Sequence, residues 1–183
     1  MNVYAVLFRG INVSGKNVIK MEALRNLLTE AGYESVKTYI QSGNVVFKSK
    51  EEDKATLAKN IERLIKEHYN YDIIVFVYNK ADIAKVLQNS PYATADYKEE
   101  GVKKLYLTFL SEIPAKENIE KLHQAPIGND EITLTDDIVY FKLATKASES
   151  KLSNNLIESK LKVKATTRNW NTTIKLFSML EAL

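Results

Sequence analysis

The stretch Arg9-Gly-Ile-Asn-Val-Ser-Gly-Lys-Asn17 gathers one Arg, one Lys, two Asn and two Gly within nine positions. Cations, amides and glycine at a strand-to-helix turn are the types that hold an anion. Glycine lets a ligand approach the main chain, and turn N–H groups point outward to meet it. Gly10, Gly15 and Lys16 also satisfy the G-x-x-x-x-G-K core of a phosphate-binding loop. Three details disfavour a nucleoside triphosphatase. Asn17 stands where a Ser or Thr hydroxyl would bind magnesium. Val18 and Ile19 delay the helix, whereas such a loop sets a helix N-terminus directly against the phosphates. The apolar run Ile73 to Val77 leads into Tyr78-Asn79, with no Asp for the metal. A polar recognition loop for an anion and a plain connecting loop with solvated charges both stay open.

Two further clusters carry polar groups. In Tyr39-Ile-Gln-Ser-Gly-Asn44 large amides flank a tight turn, and Gly and Asn serve such turns equally well without any ligand. Ala165-Thr-Thr-Arg-Asn-Trp170 holds the only Trp. Its Thr and Asn side chains suit backbone groups where a strand gives way to a helix. Trp170 fits a core anchor as readily as a stacking platform, and Arg168 fits an internal carboxylate as readily as a ligand. Other chemistry has little support. His68 and His123 lack metal-ligand spacing, Ser14 and Ser42 lack a nucleophile elbow, and Asp136-Asp137 reads as a hairpin turn. No metal and no cofactor is expected.

The elements that must position these clusters follow from periodicity. Val3 to Phe8 reads as a buried strand. Met21, Leu24, Leu27, Leu28 and Ala31 recur at helical spacing, with Gly32 as the stop. Val36 to Gln41 and Asn44 to Lys48 read as a hairpin across Ser42-Gly43. Leu57, Ile61, Leu64 and Ile65 mark a helix capped by Asp53, and Ile73 to Tyr78 a closing strand. Asn79 and Asp82 are caps for a short linking helix that ends at Ser90-Pro91. Residues 93–101, with Asp96, Glu99, Glu100 and Gly101, read as a loop or linker.

The order then repeats. Lys104 to Leu110 is a strand, and Pro114 opens a helix carrying Ile119 and Leu122. Glu131 to Leu134 and Ile138 to Leu143 form a hairpin. Leu152, Leu156, Ile157 and Leu161 give a helix, Val163 to Thr167 a strand, and a last helix runs from about Asn171. Asn79 and Asn169 hold matching places, each after a last strand. The fold class is therefore α+β: two ferredoxin-like (βαββαβ) halves, 1–91 and 92–183, each followed by an extra helix, an order best explained by duplication.

Composition agrees with a folded chain. The 183 residues, 45% hydrophobic and 9% aromatic, suffice for a core. The absence of cysteine excludes disulfides and thiolate chemistry and makes the cytoplasm the expected compartment. No apolar run reaches membrane-spanning length, so no membrane is expected as a partner. The net charge of +3 is uneven: residues 1–50 carry 7 basic and 3 acidic side chains, 142–183 carry 8 and 3, and 51–141 carry 11 and 17. Basic chain ends that met in space would face an anion.

With R-G-I-N-V-x-G-K-N, Y-I-Q-S-G-N-V-V-F and T-T-R-N-W in order, the chain resembles the bacterial family catalogued as domain of unknown function 1697. The resemblance implies two ferredoxin-like subdomains and no assigned activity. Its signature positions here are Arg9, Asn12, Gly15, Lys16, Asn17, Tyr39, Gln41, Ser42, Gly43, Asn44, Arg168, Asn169 and Trp170. Ser14 falls where the family pattern favours a second glycine.

The leading expectation is binding of an anionic partner, nucleic acid or a phosphorylated small molecule. Arg9, Lys16 and Arg168 would supply charge, and Asn12, Asn17, Gln41 and Asn44 hydrogen bonds. Arg9 and Arg168 are expected to share a polar cleft between the subdomains, also lined by Gln41 or Asn44, and Tyr39, Ser42, Asn169 and Trp170 complete the expected ligand-binding set. The alternatives are a metal-independent enzyme on a phosphate- or carboxylate-bearing metabolite, using Lys16, Tyr39 and Arg168, and a structural or docking protein. Oligomeric state is not legible.

Overall fold

The computed structural model describes residues 1–92 and 104–183, so the acidic loop expected at 93–101 lies outside the described residues. The chain forms two compact bodies, Met1–Ala84 with Lys175–Leu183, and Lys85–Ile174. The last nine residues of the chain count with the first body.

In the first body β1 (Asn2–Phe8), α1 (Met21–Glu30), β2 (Glu34–Tyr39), β3 (Asn44–Ser49), α2 (Lys54–Tyr69) and β4 (Val75–Asn79) follow one another. The sheet order is β2-β3-β1-β4, antiparallel throughout, with Val6 opposite Val45 and Phe8 opposite Val75. Strand alternation sends Tyr4, Val6 and Phe8 to one face. There they meet Leu24 and Leu28 of α1 and Leu57, Ile61 and Ile65 of α2 in one buried cluster. Each such aliphatic side chain contributes about 1.5–3 kcal/mol by leaving water. Asp53 caps α2, accepting from the Ala55 and Thr56 N–H groups.

The second body repeats the plan with β5 (Leu105–Leu110), α4 (Lys116–His123), β6 (Glu131–Thr135), β7 (Ile138–Lys142), α5 (Asn154–Leu161) and β8 (Ala165–Asn169). Its sheet order is β6-β7-β5-β8. Leu110, Val139, Phe141 and Ala165 pack with Leu122, Ile157 and Leu161 of the helices. Each last strand runs into an extra helix, α3 (Lys80–Gln88) and α6 (Trp170–Glu181). These are the two ferredoxin-like halves, and no described helix is long and apolar enough to cross a membrane.

One boundary differs in a way that bears on the site. Alternation extended the second strand to Gln41, but β2 ends at Tyr39 and the turn is four residues, Ile40–Gly43. The cause lies at Gly43, which sits at φ +76 so close to β1 that a Cβ would lie 2.7 Å from Ile11 Cδ1 and 2.8 Å from Phe8 Cβ. Only glycine permits both the conformation and that approach.

Candidate functional site

The connection from β1 to α1, residues 9–20, is a small hairpin of its own. Val13 and Lys16 pair as an isolated bridge. The Lys16 N–H donates to Val13 O at 2.9 Å, and the Asn12 N–H to Asn17 O at 3.2 Å. Ser14 and Gly15 turn the corner at φ +50 and +75, the requirement of a type I′ turn. Helix α1 begins only at Met21 and its preceding residue, Lys20, makes no side-chain cap. The G-x-x-x-x-G-K spacing is therefore folded into a β-turn and has no helix N-terminus against it, which a nucleotide loop needs.

Asn12 is the clamp of this loop. Its Nδ2 donates to Ile19 O at 2.9 Å and to Gln41 O at 2.8 Å, while its Oδ1 accepts from the Ile19 N–H at 2.8 Å. One amide thus mimics a peptide group for Ile19 and ties the loop to the β2–β3 turn. Asn17 Nδ2 donates to Gly10 O at 3.1 Å. Asn44 is fully buried, its Nδ2 donating to Tyr39 O at 3.1 Å and Ser42 Oγ at 2.9 Å. Three amides expected to meet a ligand so serve the backbone. Ile11 and Ile19 pin the loop from below, each about 1% exposed.

The structure brings the first two sequence clusters together within the first body. Arg9 is half-buried at the end of β1, with its N–H bonded to Ile74 O. Lys16, Lys20 and Gln41 are exposed and Tyr39 half-buried. Residues 9–20 hold three cations and no acid, and no described acidic residue pairs with the Lys16 or Lys20 ammonium.

The third cluster belongs to the second body. Arg168 is only 6% exposed, its Nη1 donating to Thr166 Oγ1 and Thr167 O, each at 2.8 Å. Burial pulls the pKa of its guanidinium down to about 10, so at neutral pH it is a buried cation. Asn169 Oδ1 accepts from the Thr172 N–H at 2.8 Å and caps α6. Trp170, the first residue of α6, is 1% exposed, which takes its ring out of reach of an incoming base. His68 and His123 are exposed on α2 and α4, and among the described residues no three acidic or histidine side chains are grouped to hold a metal.

Residues that the sequence reading passed over stand around the clamp. Val13 and Val18 are each 56% exposed and Ile40 49%. Ile40 also has φ +49, a conformation rare for a β-branched residue and costing about 1–3 kcal/mol. An isoleucine inside a Gln-Ser-Gly turn was the available signal. Elsewhere, a groove of about 620 Å³ in the second body is lined by Ser111, Glu112, Asn155, Glu158, Lys162 and Lys164. Its acids and bases offset one another, and none of the sequence motifs lines it.

Two four-stranded antiparallel sheets with this strand order define an α+β protein of two ferredoxin-like halves. The chain belongs to the family described as protein of unknown function DUF1697, whose model matches residues 1–140. The matched span includes the first two motifs and ends before the third. Among solved structures, the conserved bacterial protein SP0830 from Streptococcus pneumoniae is similar, with 27% identity and a TM-score of 0.73, over 98% of this chain and 98% of its own. No curated protein matches the sequence.

Proposed function

We propose that the protein binds an anionic partner through the 9–20 hairpin loop and the Ile40–Gly43 turn beside it. The supporting observation is how the polar groups divide. Asn12, Asn17 and Asn44 hold the loop by its backbone, and the rigid hairpin so made carries Lys16 beside its corner and Lys20 at its base. A cation on a pre-shaped loop loses less freedom on meeting an anion than one on a mobile chain. Arg168 is not in the proposed set, because its guanidinium is buried and already donates to Thr166 and Thr167. No observation favours the enzyme reading, since residues 9–20 contain no carboxylate or histidine for acid–base work.

Anisotropy of labelled polyphosphate, titrated with the full chain over a salt series, tests this reading. Binding is expected at low salt and should weaken as salt rises. Lys16→Ala with Lys20→Ala should flatten the salt slope by about two ions. Lys162→Ala with Lys164→Ala, in the second body, should leave the slope unchanged. No binding at low salt, or equal loss in both double variants, would overturn the proposal.

A further inference from the structure

The loop surface is apolar as well as cationic. Val13 adjoins the clamp residue Asn12, Val18 adjoins Ile19, and Ile40 adjoins Gln41, the residues that the Asn12 side chain ties together. Three aliphatic side chains, each about half exposed, therefore stand one residue away from a single hydrogen-bonded point. Ile40 is anomalous twice over. Its left-handed backbone is one that glycine or asparagine would adopt with less strain, and its side chain gains little from burial in return. Exposed apolar groups rimmed by polar ones mark interaction sites.

We infer that the occupant of this surface is a protein segment bearing acidic and aliphatic side chains. The inference rests on the anion-binding reading above and names its partner class. Charge complementarity sets the acidic half: the exposed Lys16 and Lys20 lie on the loop and the exposed Lys37 on β2, with no acid among residues 9–20 or 35–48. The apolar half sets the rest. Nucleic acid bound without sequence preference is held by aromatic rings on which bases stack, and Tyr39 is the only aromatic residue in 9–20 and 35–43, itself half-buried. Valine and isoleucine offer no stacking face but pack well against leucine or valine. A lipid surface would need more apolar area for stable insertion than three half-exposed aliphatic side chains supply. A carboxylate-bearing segment with apolar residues between its acids satisfies both halves at once.

The test compares four probes against the full chain by anisotropy and NMR titration. They are a Glu/Leu-alternating peptide, the same peptide with Ser for each Leu, a thymidine oligonucleotide of equal charge, and phosphatidylglycerol vesicles. The Glu/Leu peptide should bind about tenfold more tightly than its Ser counterpart, as expected for burying aliphatic side chains. Ile40→Gly should remove most of that advantage without lowering the melting temperature, and Val13→Ser should act in the same direction. A merely structural Ile40 would instead lose stability on replacement. Equal binding of both peptides, or tighter binding of the oligonucleotide or vesicles, overturns the acidic-aliphatic partner. The anion-binding reading would survive that result if Lys16→Ala still weakened the polyanions. If none of the four probes nor polyphosphate bound, both would fall.

Discussion

The two bodies share a frame down to single hydrogen bonds and differ at one edge of it. The Phe8 N–H donates to Gly43 O at 2.9 Å in the first, and the Leu110 N–H to Asp137 O at 2.9 Å in the second. The Arg9 N–H meets Ile74 O at 2.9 Å, and the Ser111 N–H meets Lys164 O at 2.8 Å. Glu62 accepts from the Val75 N–H at 2.9 Å, and Glu158 from the Ala165 N–H at 2.7 Å. Asn79 caps α3 through the Asp82 N–H as Asn169 caps α6 through that of Thr172. These matches show one hydrogen-bond plan used in both halves. Against that background the first connection takes residues 9–20 in one body and 111–115 in the other, and the inner hairpin turns through 40–43 against 136–137. The second body shows that the frame closes without the long loop. The loop, with Gly10, Asn12, Ser14, Gly15 and Asn17 all at positive φ, is surplus to the fold and is the better place to look for function.

The reverse difference sits one residue before each cap. Tyr78 occupies that position in the first body and the buried Arg168 in the second. A buried cation whose Nη1 donates to Thr166 and Thr167 fits a scaffold role. Arg168→Ala should then cost about 3–5 kcal/mol, from the cavity and the buried acceptors left behind. Arg168→Met, which fills the space but leaves the Thr166 and Thr167 acceptors unpaired, should recover only the cavity part of that cost, with about 1–3 kcal/mol of destabilisation remaining in urea unfolding. If Arg168→Ala melted like wild type yet lost polyphosphate binding, the scaffold assignment would be wrong and the second body would share the site.

Gly43 sharpens the contrast between the turns. Gly43→Ala places a methyl group into Ile11 and Phe8 at a left-handed φ, and about 2–4 kcal/mol of destabilisation is expected. Asp137→Ala, at the matching acceptor position of the two-residue turn, should cost under about 1 kcal/mol, as for a surface change. Equal effects on the urea midpoint would mean that the longer turn is not packed against β1 as described.

Much of this frame was legible because it rests on local period. Leu24, Leu28, Ile61 and Ile65 recur at helical spacing, Asp53 and Asn79 stand at helix starts, and the order of elements reads βαββαβ twice. What could not be read was the destination of polar side chains. An asparagine in a loop looks the same whether it meets a ligand or a carbonyl. Asn12 finds Gln41, 29 positions away, only because Gly43 lets the turn settle on β1. Arg168 was undecided for a similar reason. Thr-Thr-Arg-Asn fits a ligand or an internal partner alike, and it is period-two alternation that places Arg168 on the face of Thr166, beside β5 residues Leu107 and Phe109 that are far away in sequence. Ile40 hid in the opposite way, since an apolar residue after Tyr39 simply lengthened the strand.

The smallest expected effect bears on why the loop is stiff. Ser14 takes φ +50 at the corner of the type I′ turn, where an L-residue with a Cβ is strained and glycine is not. Among the described residues its side chain has no hydrogen-bond partner to offset that strain, and Ser14 is exposed. Ser14→Gly relieves the corner but gives the unfolded chain more freedom, so the two effects partly cancel. A net gain of about 0.5 kcal/mol is expected, read as a small rise in urea midpoint at unchanged slope. Asp136→Gly, at φ +51 in the shorter turn of the second body, should gain less, because aspartate tolerates the left-handed region better than serine. If the loop serves binding by being held in shape, Ser14→Gly should also leave the Lys16-dependent salt slope intact. A loss of stability in Ser14→Gly would show instead that the serine side chain holds the hairpin, and the rigidity attributed to Asn12 and Asn17 would have to be shared with it.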